Sequence, residues 1–517
     1  MDKIYTLIRS LTFNERKELH LFLNSPYFNK NKSVITLYEL LLKLSGRKNY
    51  LKIDTPEIYK KIFKTGLYKS STMRNLLSDL TNLILDFSAF KYLENSESGY
   101  FQDCYIKGIK KRKITNEYYY KFKEWEKEFI NNDNIVEIDF AKEGMAFYNN
   151  KLDIDIINDG ETKRFDLNRR VEDFKKLTVK TSLIDFLYSI KCYSALSTID
   201  FKFSTSKEKF TGELSNIADL TYKKIFEQYK FLKQSGLFGD VIDIYISLTE
   251  LIKKTRENKI IKCEEFKNIK ILINKNENSI GREELNFLYE ELIRIIYSLE
   301  NTNEKQFLKL NHLKEFFGKN YFISRDSSDI DASLFRLTLL ACFDVKDFDF
   351  AKLFLDEYSK FITLTQRDAM TNLGYAFYYN RKGDFDKSLL YLNKTDFVKQ
   401  IFEYDARILF IRNFYELNYI DSSLEQVKNF KTLLSKKEKK AGLTISEEAH
   451  RNFLTYFEKF IKDSEKFDEE SIMFYIEKLN NEKNIVLGKW LYSIMTNTVT
   501  EILKTKNNNK TKKLKSA

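Results

Sequence analysis

Proline is almost missing from this chain, with 2 in 517 residues, and glycine is scarce at 15. Tight turns and strand boundaries depend on those two residues, so a many-stranded sheet is excluded and helix becomes the default. Cysteine is sparse too. Cys104, Cys192, Cys263 and Cys342 stand 88, 71 and 79 residues apart with no C-x-x-C pair. That spacing excludes zinc ribbons, redox dithiols and a disulfide framework, and it predicts buried free thiols in a reducing compartment. No uncharged apolar run reaches the roughly 18 residues of a membrane span. The opening MDKIYTLIRSL places polar and charged residues where a secretory signal needs its apolar core, so a cytoplasmic protein is expected.

Catalytic signatures are equally scarce. The three histidines, His20, His312 and His450, form no pair at metal-binding spacing. Glu447-x-x-His450 matches half of a di-iron carboxylate constellation, but that site needs a second copy on facing helices, so the pair reads as solvated. Phosphate-cradling glycine loops, the nucleophile elbow and the H-E-x-x-H zinc motif do not occur. The glycines of Gly236-Leu-Phe-Gly239 read as a turn between helices. The adjacent acids Glu283 and Glu284, and Glu290 and Glu291, lie in strongly charged stretches and are expected to be exposed, without the burial that separates the pKa values of an acid–base pair. No enzymatic activity, cofactor or metal is expected.

What is present is apolar and cationic. Hydrophobic residues make up 43% of the chain, with 44 Phe and 32 Tyr, ample surface for a packed core. The formal charge of +12 sits at the ends: residues 1–95 carry 16 basic against 9 acidic side chains, and residues 504–517 carry six lysines and no acid. The long middle is close to neutral.

Helical punctuation is clear near the amino terminus. Thr12 and Glu15 have capping-box spacing, and Leu19, Phe22 and Leu23 form a stripe that stops before Pro26. In FLNSPYFNKNKS, Pro26 biases Ser25 out of the helical region, Ser33 is positioned to cap the next helix, and Tyr27 and Phe28 are expected to fold back on the flanking stripes. Val34, Leu37, Tyr38, Leu41 and Leu44 mark that next helix. A third helix starts at Thr55-Pro56-Glu57 with Gly66 beyond its end, and Met73 to Phe87 marks a fourth. The domains expected are a basic compact helical domain over 1–95, a helical middle region of helical repeats over 96–330, a TPR-like α-solenoid over 331–503 and a disordered Lys-rich tail over 504–517.

The solenoid rests on three stretches. KDFDFAKLFL from Lys346, GDFDKSLLYL from Gly383 and NYIDSSLEQV from Asn418 bring small residues to Ala351, Ser388 and Ser423, 37 and 35 residues apart. That period, with NLGYAFYYNRKGDFDKSLLYLNK as its clearest unit, resembles a degenerate tetratricopeptide (TPR-like) repeat. Ser stands where the repeat prefers Ala, and no terminal proline follows. The predicted fold class is all-α, a helical N-terminal domain followed by an α-α hairpin solenoid. The segments opening SLTFNERKELHLFLNSPYFNKNKS, KIFKTGLYKSSTMRNLLSDL, FIRNFYELNYIDSSLEQV and KNIVLGKWLYSI also resemble an uncharacterised bacterial all-helical family. That resemblance implies a helical fold and brings no activity or binding residue with it.

Two functional expectations follow. In the first, the chain is a non-enzymatic protein-interaction scaffold whose concave solenoid surface receives a protein or peptide partner through Asn372, Tyr375, Tyr379 and Arg412; tyrosine and arginine are enriched at binding hot spots. In the second, nucleic acid is bound by Lys60, Lys61, Lys64, Lys69 and Arg74, around the junction of the third and fourth helices, with the Lys-rich tail adding phosphate contacts. No membrane partner is expected.

Overall fold

The computed structural model describes residues 2–45, 55–64, 67–95, 100–112, 114–129, 133–162, 166–203, 211–324, 327–395, 400–466, 468–482 and 484–515. Among them are 23 α-helices and no β-strand. The backbone divides into two units, 1–259 with 267–284, and 260–266 with 285–517.

The first unit begins with α1 (Asp2–Ser10), α2 (Phe13–Asn24), α3 (Lys32–Ser45), α4 (Thr55–Phe63) and α5 (Ser70–Asn95). Ile8, Leu19, Leu23, Leu37, Tyr38, Leu41, Leu80 and Ile84 close one core among these helices. The capping box at Thr12 forms: the Glu15 N–H donates to the Thr12 hydroxyl at 3.2 Å and the Thr12 N–H to the Glu15 carboxylate at 2.7 Å. Ser25 is extended, at φ −70 and ψ 119, as the proline after it requires. The cap of α3 differs from expectation. Asn31 Oδ1 accepts the Ser33 N–H at 3.0 Å, so Ser33 lies inside the helix instead of capping it. Phe28 does fold back, stacking on Phe22 with centroids 4.1 Å apart, but Tyr27 stays 85% exposed with only an edge on Phe28. Gly66 lies outside the described residues; α4 is closed by Lys64 in the left-handed region at φ 54.

The unit continues with α6 (Tyr100–Lys111), α7 (Thr115–Phe129), α8 (Ile138–Thr162), α9 (Leu167–Phe203), α10 (Thr211–Ser235) and α11 (Val241–Arg256). Consecutive helices pair, α8 with α9 and α9 with α10 most extensively. A second core gathers Phe122, Trp125, Phe129, Phe147 and Tyr148. The buried Trp125 indole N–H finds its acceptor in Glu143 at 2.9 Å.

After α12 (Cys263–Lys275) and α13 (Arg282–Ile295), the second unit carries α14 (Asn303–Gly318), α15 (Ala332–Asp344), α16 (Phe348–Tyr358), α17 (Leu364–Lys382), α18 (Phe385–Leu392), α19 (Gln400–Glu416), α20 (Ile420–Ala441), α21 (Ile445–Glu465), α22 (Glu469–Asn481) and α23 (Gly488–Lys515). The lysine-rich segment from Lys504 continues α23 as far as Lys515. Adjacent helices pair again: α15 with α16, α17 with α18, α19 with α20, α22 with α23.

The three quoted stretches each begin on a left-handed residue, Lys346 at φ 62, Gly383 at φ 82 and Asn418 at φ 62. The next N–H in each reaches the carbonyl five residues back: Asp347 to Cys342 at 2.8 Å, Asp384 to Tyr379 at 3.0 Å and Tyr419 to Phe414 at 2.8 Å. This closure ends the helix, satisfies a carbonyl its last turn leaves open and reverses the chain. Asn320, at φ 56, ends α14 the same way. The small residues then meet the preceding helix: Ser388 Oγ donates to the Ala376 carbonyl at 2.8 Å and Ser423 Oγ to the Ile411 carbonyl at 2.9 Å, both twelve residues back. Gly374 completes the close approach, since a Cβ there would lie 2.5 Å from Leu355 Cδ2 and 3.0 Å from Leu339 Cδ1. The cysteines only half follow expectation. Cys263 and Cys342 are buried, Cys104 and Cys192 exposed on helix surfaces.

Candidate functional site

Tyr375 and Tyr379 are four residues apart on α17 and so share one face. The turn at Gly383 brings Tyr391 of α18 onto them: its ring stacks on Tyr375 at 5.0 Å and on Tyr379 at 5.5 Å, with interplanar angles of 23° and 15°. A lysine ammonium faces each ring, Lys352 over Tyr375 at 4.7 Å, Lys387 over Tyr379 at 5.3 Å and Lys394 over Tyr391 at 5.2 Å. Asn372 Nδ2 donates to the Lys394 carbonyl at 3.3 Å and ties the end of α18 to α17. The Tyr375 hydroxyl donates to Asp356, and Lys352 donates to both of them, at 2.9 Å to Asp356 and 3.3 Å to Tyr375. Burial raises the Tyr375 pKa and the Asp356 hydrogen bond raises it further, so the hydroxyl stays protonated. All three residues are half-buried. Such a surface offers rigid aromatic area with fixed positive charge, where each cation–π contact contributes about 0.5–1 kcal/mol.

Asn372, Tyr375 and Tyr379 are therefore brought together, and Arg412 is not. By the 35-residue offset from Ser388 to Ser423, Tyr375 and Tyr379 correspond to Phe410 and Phe414, which stack at 6.0 Å, whereas Arg412 corresponds to Phe377. Its guanidinium lies 5.6 Å from the Trp490 ring and 3.9 Å from Glu416, which also accepts the Trp490 indole N–H at 2.7 Å. Burial, with Arg381 repelling it, brings the Arg412 pKa down to about 10. Tyr391 and the three lysines were not singled out from the sequence. Tyr391 sits three residues after Ser388, the contact residue of α18, which places it beside the α17 tyrosines.

The five cations expected to meet nucleic acid, Lys60, Lys61, Lys64, Lys69 and Arg74, are all exposed. Lys60 and Lys61 occupy the last turn of α4, Lys64 closes it, Lys69 precedes α5, and Arg74 lies in its second turn. Lys61 pairs with Glu57 at 2.7 Å.

Several acids expected at the surface are buried. Glu284 is fully buried, bonded to Lys191 at 2.7 Å and to the Tyr245 hydroxyl at 3.3 Å, and burial raises its pKa despite both partners. Glu291 is 4% exposed. Adjacent acids point in different directions on a helix, so one of each pair turns inward. Glu447 and His450, expected as a solvated pair, are also buried. Glu447 forms a capping box with Thr444 and accepts from the Tyr404 hydroxyl at 3.1 Å and from Lys437. The His450 ring meets the Ser446 carbonyl at 2.7 Å. Glu447 fastens α21 to its neighbours through Tyr404 and Lys437, and the His450 ring does so by packing 5.5 Å from Tyr404 and 5.7 Å from Phe430.

These features define an all-helical protein built from paired helices, in which no described helix is long and apolar enough to cross a membrane. No family model matches the chain, and no curated protein and no solved structure matches it.

Proposed function

We propose that the protein is a non-enzymatic, cytoplasmic interaction scaffold whose hairpins from α15 onward stack as a degenerate TPR-like solenoid, with a partner's peptide segment docking on the face of Tyr375, Tyr379 and Tyr391. Stacked hairpins bury a continuous core and leave an extended surface for ligands. The observation that carries the reading is the half-buried triple tyrosine stack with a lysine over each ring, presented by the α17–α18 hairpin. Aromatic rings with little side-chain entropy to lose are favoured anchors for a partner, and the lysines select an acidic or carbonyl-rich one.

The test is affinity purification of the full chain with and without nuclease, repeated with Tyr375→Ala/Tyr391→Ala. A protein retained after nuclease and lost from the double variant supports the scaffold. Retention of DNA or RNA that falls steeply with salt and depends on Lys60, Lys64, Lys69 and Arg74 would transfer the function to nucleic-acid binding.

A further inference from the structure

The basic groove along α20 and α21 is independent of the tyrosine face. It has a volume of 780 Å³ and is lined by Lys428, Lys431, Lys436 and Lys439 from α20 and by Lys462 from α21. Only Glu425 and Glu458 supply negative charge to this lining. Glu458 is already shared, pairing with Lys431 and, at 2.9 Å, with Lys462. Elsewhere the chain often balances its helix-surface lysines locally, as in Lys61 with Glu57, Lys352 with Asp356 and Lys387 with Asp384. Lys436 and Lys439 break that habit: the positions three and four residues away hold Leu, Thr, Ser, Gly and further lysines, and among the described residues neither lysine has an ion pair. Like charges at that spacing cost helix stability. The groove is thus a cationic row whose neutralising charge the described chain does not supply.

The floor identifies the occupant. Leu424 and Val427 are its aliphatic lining, Val427 buried and Leu424 half-buried, and no lining residue is aromatic. A single-stranded nucleic acid gains much of its affinity by stacking bases on aromatic rings, which this groove lacks. A segment with aliphatic side chains on one face and carboxylates on the flanks matches both the floor and the row. From Leu424 to Lys439 the groove runs about 22 Å, the length of about four helical turns. We propose that the groove between α20 and α21 binds an acidic amphipathic segment of a partner protein.

The test uses the full chain and a fluorescein-labelled amphipathic peptide of Glu and Leu, read by fluorescence anisotropy, with the Lys-for-Glu version of that peptide and a single-stranded DNA as comparisons. The Glu–Leu peptide is expected to bind wild type and to lose roughly tenfold or more in affinity with Lys428→Glu/Lys436→Glu/Lys439→Glu, as loss of several complementary charges implies. Tyr375→Ala/Tyr391→Ala is expected to leave this binding unchanged, which separates the groove from the tyrosine face. Circular dichroism checks the helices, and the milder Lys436→Gln/Lys439→Gln serves if the charge reversal disturbs them. Equal binding by wild type and variants, no binding of the Glu–Leu peptide, or tighter binding of the DNA through the same lysines would each overturn the proposal.

Discussion

Ser388 Oγ donates to the carbonyl of Ala376 at 2.8 Å and, in turn, accepts Asn413 Nδ2 at 2.8 Å. Asn413 Oδ1 accepts from Asn380 at 2.6 Å, so one fully buried hydroxyl joins α17, α18 and α19. Ser388 is small enough to let α17 and α18 close and polar enough to anchor the next hairpin. Alanine keeps the space but strands the Asn413 amide in a dry interior. Ser388→Ala is therefore expected to destabilise the second unit by about 1–3 kcal/mol, measured by urea unfolding or by faster hydrogen exchange in α17 and α19. Unchanged exchange in both helices would show that the network contributes nothing.

Burial at α21 predicts a pH response with a definite sign. Burial opposes the Glu447 charge, yet Lys437, Thr444 and Tyr404 together hold its pKa down to about 2 against an ordinary 4.5. The folded state favours the carboxylate, so this contribution is present above pH about 4.5 and is lost as pH falls towards about 2; it is on the order of 3 kcal/mol. Burial lowers the His450 pKa from 6.5, with Arg336 working in the same direction and Asp405 and Glu447 against it. The folded state favours the neutral ring, so that contribution is present above pH about 6.5 and declines below it. Protection factors in α21, taken against the intrinsic exchange rate at each pH, are expected to fall in two stages on acidification. His450→Gln should remove the upper stage and Glu447→Gln the lower, while Glu447→Gln also weakens α21 at neutral pH. Acid profiles identical to wild type in both variants would rule this out.

Helix identity was legible wherever a local signal suffices. Thr12 with Glu15 and Pro26 after Ser25 satisfy or punctuate backbone groups within a few residues and each marks a helix end in the structure, and Thr55-Pro56-Glu57 lies in the first described turn of α4. A recurring turn was legible: the stretches quoted from Lys346, Gly383 and Asn418 begin on the residues that adopt positive φ. The matching turn at Asn320 escaped notice because no small contact residue follows it at the expected distance. Facing was much less legible. Glu284 and Glu447 look like surface acids until the helices packed against them supply Lys191 and Lys437, and Glu291 turns inward with its partner Arg294 on the same helix. The candidate site shows the same limit, since helical spacing joined Tyr375 to Tyr379 but only the return of α18 adds Tyr391.

The turn FLNSPYFNKNKS separates two kinds of residue that look alike in sequence. Asn29 is 9% exposed; its Nδ2 donates to the Leu23 carbonyl at 2.9 Å and its Oδ1 accepts the Asn31 N–H at 2.9 Å. It thus satisfies an open carbonyl at the end of α2 and shapes the entry to α3, and no backbone group reproduces both bonds. Tyr27, two residues earlier and 85% exposed, has little burial to lose. Asn29→Ala is expected to destabilise the amino-terminal helices by about 1–3 kcal/mol, because it removes two bonds and leaves a nearly buried carbonyl without its donor. Tyr27→Ala should stay within about 0.5 kcal/mol of wild type, as exposed substitutions usually do. Limited proteolysis of the full chain, followed at sites within residues 1–95, reads the difference: Asn29→Ala should be cut faster there, and Tyr27→Ala at the wild-type rate. Equal rates for the two variants would mean that Pro26 and the Phe22–Phe28 stack hold the turn without Asn29.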